Sequence, residues 1–228
     1  ITRARTENVR LAIEATRGLV LMSHGEICDA RFSKSCGGVS EVFESCWADV
    51  HYPYLERVVD VKAPESVASA PDLTIEANAE AWIRGEYDSF CNTHDKEILS
   101  QVLNNYDQET TDFYRWTVEY TTEQLSELVA RRSGIDFGTI TALEPVERGT
   151  SGRLTRLRIV GTKRTMIVGK ELEIRRWLSE SHLYSSAFVV DKTDAGFRLI
   201  GAGWGHGVGL CQIGAAVMGA KGYKYDEI

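Results

Sequence analysis

Five glycines alternate with other residues between Gly201 and Gly209, in the segment Gly201-Ala-Gly-Trp-Gly-His-Gly-Val-Gly-Leu-Cys-Gln. Glycine loses more conformational freedom on ordering than any other residue, so such a run needs a compensating gain. Residues two apart share one face of an extended chain, which here leaves a face without side chains. The pattern predicts a backbone on which something broad lies directly: a sugar ring, a peptide or another strand. Trp204, His206 and Val208 project from the opposite face, and a helix is expected from Leu210 to Gly219. That helix start would bring N–H groups beside the loop. The competing reading is a tight β-to-α crossover in which His206 is satisfied by a backbone hydrogen bond. Nucleotide motifs fail: GxGxxG is not matched in this register, and no GKS or GKT follows.

Elsewhere the chain mixes helix-period and strand-period patterns. Helices are expected over Glu7 to Arg17, Ala77 to Tyr87, Asp95 to Tyr106 and Lys170 to Leu178. The Asp95 to Tyr106 stripe is Ile98, Leu99, Val102, Leu103 and Tyr106. Thr121 with Gln124 reads as a capping box opening a helix that ends near Gly134. Strands are expected at Leu19 to Met22, Ile27 to Phe32, Leu55 to Val61, Phe113 to Tyr120, Ile140 to Val146, Leu154 to Val160 and Thr165 to Val168. Ser186 to Val190 and Phe197 to Ile200 should form a hairpin. The fold class that results is α+β: a mixed, largely antiparallel β core with short helices. Residues 1–228 read as one truncated domain, and 63–136 as a partly helical region inserted in it.

A formal charge of -7, with no basic stripe interleaved with aromatics, argues against nucleic acid as a partner. No apolar run approaches the roughly 18 residues of a membrane span. Both ends read as cuts through a larger domain. Cys28, Cys36, Cys46, Cys91 and Cys211 follow no zinc-ligand spacing, so the expectation is no metal and no cofactor. An oxidised pair and buried free thiols stand as equal alternatives. Cys36, before Gly37 and Gly38, could be a nucleophile on a turn with His206 as its base. A structural thiol is the preferred reading, because no third orienting residue accompanies the pair. Glu41 is a candidate acid or polar ligand.

These segments together resemble the stage II sporulation protein D and amidase-enhancer family. The resemblance rests on ATRG at 15–18, FSKSCGGVSE at 32–41, YPYL at 52–55, SGR at 151–153, SSAF at 185–188 and GWGHGVGLCQIGA at 203–215. Two positions depart from it: the family commonly has Ser where Cys211 stands, and Ser or Thr near Cys36. The resemblance implies peptidoglycan glycan-strand processing of the lytic transglycosylase kind, in an exported protein. One carboxylic acid can serve such an enzyme as acid and then base. In the family that glutamate, and the His/Cys metal cluster where it occurs, lie upstream of the ATRG region, so neither is carried over. The alternative is a non-catalytic module that binds glycan or enhances a cell-wall amidase. Either reading places the substrate against Gly37, Gly38 and Glu41 on one segment. On the other it uses Gly203, Trp204, Gly205, His206, Gly207, Gly209 and Gln212.

Overall fold

The computed structural model describes residues 7–61, 70–102 and 110–228. The chain divides into two units, Ile1–Ala30 and Arg31–Ile228. In the first, helix α1 (Glu7–Ala15) is followed by a minimal hairpin of β1 (Met22–Ser23) and β2 (Glu26–Ile27). The turn is His24-Gly25, both at positive φ, which is why glycine stands second.

The second unit opens with β3 (Phe32–Ser33) and a single 3-10 turn at Phe43–Ser45, then α2 (Glu76–Arg84) and α3 (Lys96–Val102). Strand β4 (Arg115–Thr121) leads directly into α4 (Thr122–Ser133). The expected capping box is present: the Thr121 side chain accepts from the Gln124 N–H, and the Gln124 side chain accepts from the Thr121 N–H. Gly134 ends the helix in the left-handed conformation. Strands β5 (Ile140–Arg148), β6 (Leu154–Gly161) and β7 (Thr165–Val168) form one antiparallel sheet. After α5 (Glu171–Trp177), the hairpin β8 (Phe188–Lys192) and β9 (Gly196–Ala202) joins β4 in a second antiparallel sheet, in the order β4-β9-β8. The chain closes with β10 (Leu210–Cys211) and α6 (Gln212–Ala220).

The α+β class stands. Its principal core lies where both three-stranded sheets meet α4 and α5. Trp116 of β4, Leu125 and Val129 of α4, Leu157 and Ile159 of β6, and Ile174 of α5 are all buried there. Alternation put them there: in β6 Leu157 and Ile159 face inward while Arg156 and Arg158 stay exposed. The region 63–136 supplies α2, α3, β4 and α4, and β4 pairs with β9 along seven residues from Arg115 to Thr121.

Three expected strands are reduced or absent: Leu19 to Met22 is strand only at Met22, Ile27 to Phe32 only at its two end residues, and Leu55 to Val61 not at all. Leu55 to Val61 makes a single bridge, Val39 to Val59, because its hydrogen bonds go to the glycine turn: the Asp60 N–H donates to the Gly38 carbonyl. Leu103 and Tyr106, of the expected α3 stripe, lie outside the described residues; Leu99 of that stripe is buried. Among the described residues no helix is long and apolar enough to cross a membrane.

Candidate functional site

The two segments singled out by the sequence lie side by side. Ser35 and Trp204 exchange both backbone hydrogen bonds, at 3.1 and 2.8 Å. The Glu41 N–H donates to the Gly207 carbonyl at 3.0 Å, and β10 runs parallel to β3, pairing Leu210 with Phe32 and Cys211 with Ser33. Residues 32–41 and 203–211 thus form one interlocked double loop.

The loop is not extended with a bare face. Gly203, Gly205, Gly207 and Gly209 all have φ between 73° and 97°, a region that L side chains rarely adopt. The direction a Cβ would take is filled by the protein itself. At Gly203 it meets the Ser35 carbonyl and Arg153 at 2.8 Å; at Gly207 it runs into the Arg153 guanidinium; at Gly209, into the Arg31 carbonyl. Gly205 is the loosest, with Ser33 Cβ at 3.3 Å. Gly37 faces the backbone of Gly203, and Gly38 faces Trp82, Ser89 and Tyr114. The broad object lying on the glycine backbone is therefore the rest of the double loop. The expectation of an open, side-chain-free groove at 205, 207 and 209 is corrected on steric grounds.

Arg153, in the SGR motif, holds this arrangement. It is 1% exposed, and its guanidinium donates to the carbonyls of Gly205 and Cys36 and to the Ser151 hydroxyl. Glu41 is buried completely and saturated. Its carboxylate accepts from the N–H groups of Val42, Thr150 and Ser151 and from the hydroxyls of Ser45, Thr150 and Ser151. A carboxylate so placed anchors the 149–153 turn to the double loop and presents no oxygen to solvent.

His206 is held by backbone on both sides. Its Nδ1 accepts from the Val208 N–H at 3.1 Å, and the ring also bonds to the Phe32 backbone. Its edge meets Trp47 at 4.8 Å between centroids. Burial, with Arg153, Arg175 and Arg31 nearby, lowers its pKa to about 4, so the imidazole is neutral near pH 7. Trp204 is half-buried, with one face stacked on Tyr184 at 4.0 Å. Gln212 is the first residue of α6, where the next N–H, of Ile213, already donates to the Lys34 carbonyl.

Cys36 does not pair with His206. The Cys36 thiol contacts Cys91 Sγ at 3.6 Å and Asp60 Oδ2 at 3.7 Å, and its N–H donates to Cys211 Sγ at 3.2 Å. The ligand atoms of Cys36, Asp60, Cys91 and Cys211 all lie within 4.8 Å of one another. Burial pushes the Asp60 carboxyl up to about 6, and the Cys211 sulfur adds to the rise. The Cys36 thiol beside it, followed by that of Cys91, holds Cys211 well below the usual thiol range. All five cysteines are free thiols. No local spacing could have grouped these four residues, since they come from four separate stretches of chain.

Beyond Trp47, a cleft of about 520 Å³ opens between Cys46-Trp47 and the β7–α5 region. Trp47, Met166, Ile167, Lys170, Leu172 and Trp177 line it. The Lys170 ammonium fixes one wall, donating to the carbonyls of Glu44 and Trp47 and to Asp49. No local pattern shows that Trp47 and Trp177 line the same cleft, because they lie 130 residues apart in the chain.

The chain is 23% identical to the amidase enhancer of Bacillus subtilis over 97% of its own length and 31% of that protein's. It is 25% identical to an uncharacterized protein of Brachyspira hyodysenteriae, again over 97% of its length and 46% of the relative's. The chain therefore spans less than half of either relative. Residues 41–209, from the buried glutamate to the last glycine of the loop, match the family described as Domain of unknown function (DUF8618), and the chain belongs to that family.

Proposed function

We propose that this chain is an amidase-enhancing module of the bacterial cell envelope, exported, which holds peptidoglycan glycan strands and stimulates a cell-wall amidase without cleaving glycan itself. The observation that carries this reading is the similarity to an amidase enhancer over 97% of the chain. A lytic transglycosylase needs a carboxylic acid that reaches the glycosidic oxygen. Glu41, the candidate acid within this chain, is buried under six donors, and the family's own glutamate lies upstream of the ATRG region, so no carboxylate of the site supplies that proton.

Glycan binding on this reading uses the cleft beside Trp47 rather than the glycine backbone. The half-buried indole of Trp47, with the exposed Met166, Ile167 and Leu172 beside it, offers an apolar surface to a sugar ring, and the backbone at Gly205 and Gly209 is half-exposed. The test is amidase activity on purified sacculi with and without the full-length protein, read as released stem peptide. The module should raise the amidase rate severalfold, and soluble products should carry no anhydro-sugar ends beyond the amidase control. Anhydro ends generated by the protein alone would establish the lytic transglycosylase reading instead. An unchanged amidase rate together with no binding to sacculi would remove both.

A further inference from the structure

We propose that Cys36, Asp60, Cys91 and Cys211 form a closed, four-ligand site for one tetrahedral metal ion, zinc in the cell, which staples the double loop to the helical region. This goes beyond the amidase-enhancing reading and stands independently of it.

Distance is the first argument. Around one tetrahedral zinc with Zn–S near 2.3 Å and Zn–O near 2.0 Å, ligand sulfurs lie ~3.8 Å apart and sulfur and oxygen ~3.5 Å apart. The observed separations are 3.6 Å for Cys36 to Cys91 and 3.7 Å for Cys36 to Asp60, with all four ligand atoms within 4.8 Å. Sulfurs bound to different irons of a cluster lie further apart than sulfurs sharing one ion, so the spacing selects a mononuclear centre. Three thiolates favour a soft or borderline cation, and the carboxylate favours zinc over cuprous copper. Four protein ligands leave no open position, which marks a structural rather than a catalytic site.

Charge is the second argument. Cys36 and Cys91 are buried and Asp60 and Cys211 half-buried, so a carboxylate sits among three sulfurs with little water. Such a group is costly without a cation. The surroundings already carry donors that orient ligands: the Cys91 N–H donates to Asp60 Oδ2 at 2.8 Å, and the Cys36 N–H to Cys211 Sγ. Arg115, hydrogen-bonded to the Gly37 carbonyl and interacting electrostatically with Cys91, offsets the excess negative charge of the loaded site. On binding, the Cys36 and Cys91 thiols release their protons to solvent as their sulfur–metal bonds form.

Placement is the third. Cys36 begins the glycine turn, Cys211 ends the glycine loop, Asp60 follows the YPYL stretch, and Cys91 lies between α2 and α3. A single ion therefore joins four segments at long sequence separations, where a crosslink restricts the unfolded chain most.

The experiment is elemental analysis of the full-length protein purified under reducing conditions, followed by chelation and titration of the reduced apoprotein with cobalt(II). One zinc ion per chain and sulfur-to-cobalt charge-transfer bands with tetrahedral ligand-field absorption are expected. Cys91→Ser and Asp60→Ala should lose or shift those bands, while Cys28→Ser, outside the cluster, should retain them. Should Cys91→Ser fail to fold, the wild-type cobalt titration still decides the matter. Reduced, folded wild-type protein that gives no cobalt bands overturns the proposal, as does stoichiometric Cys36–Cys91 disulfide that yields no metal binding after reduction.

Discussion

The Nε of Arg153 donates to the carbonyl oxygen of Gly205 at 3.1 Å. This bond joins the SGR turn to the middle of the glycine loop, and Nη1 of the same guanidinium reaches the Cys36 carbonyl and the Ser151 hydroxyl. Ser151 in turn donates to Glu41. Arg153 and Glu41 are thus linked through one hydroxyl, and between them they fix both candidate loops. A buried guanidinium is costly unless its N–H groups are satisfied, and here the loop carbonyls do so.

Gly207→Ala follows from that relationship. At φ 81° an added Cβ is strained by its backbone and also overlaps the Arg153 guanidinium. On an open, side-chain-free groove this change would impair binding more than folding. The packing reverses that expectation: stability should fall by about 2–4 kcal/mol. Gly134→Ala, at φ 74° with open space around it, should cost only about 1 kcal/mol. Denaturant unfolding of the two variants checks the difference; equal losses would show that strain, not Arg153, sets the penalty.

Glu41 is expected to be an anchor. Glu41→Ala leaves three N–H groups and three hydroxyls facing a void, and should destabilise the protein by on the order of 3–5 kcal/mol. Glu41→Gln keeps the shape but turns an amide NH₂ toward donors, so it should also destabilise, by about 1–3 kcal/mol. A general acid would behave differently, with glycan cleavage lost in Glu41→Gln and the unfolding midpoint unmoved.

His206 makes stability fall in mild acid. Its folded pKa, about 4, lies below the ordinary value of 6.5, because burial and Arg153, Arg175 and Arg31 oppose the imidazolium. Between those values the unfolded chain binds the extra proton, so its contribution is complete above about pH 6.5 and is lost as pH falls toward about 4. With allowance for partial solvent access the loss is roughly 2–3 kcal/mol. Without metal, Asp60 acts oppositely, since burial raises its carboxyl to about 6. The informative measurement is therefore the difference in unfolding free energy between wild type and His206→Gln across that range. A difference independent of pH would refute the assignment.

What the sequence determined by itself was local. Alternation in 154–160, the Thr121/Gln124 capping box, the β8–β9 hairpin and the helix after Leu210 depend on residues a few positions apart, and the structure carries each of them. The glycine alternation correctly marked a place where backbone is approached closely. The tertiary structure decided what approaches it. Period-two spacing reads the same whether the chain is extended or left-handed at every second residue, and only the packing of Arg153 and residues 31–37 selects the second. Glu41 and His206 were visible as polar residues in motifs, but their burial depends on Thr150, Ser151, Trp47 and Phe32, which the chain brings from elsewhere. The same holds most strongly for Cys36, Asp60, Cys91 and Cys211. Long-range sheet pairing and the interlocked loops place their ligand atoms within 4.8 Å, and no local periodicity encodes such a meeting.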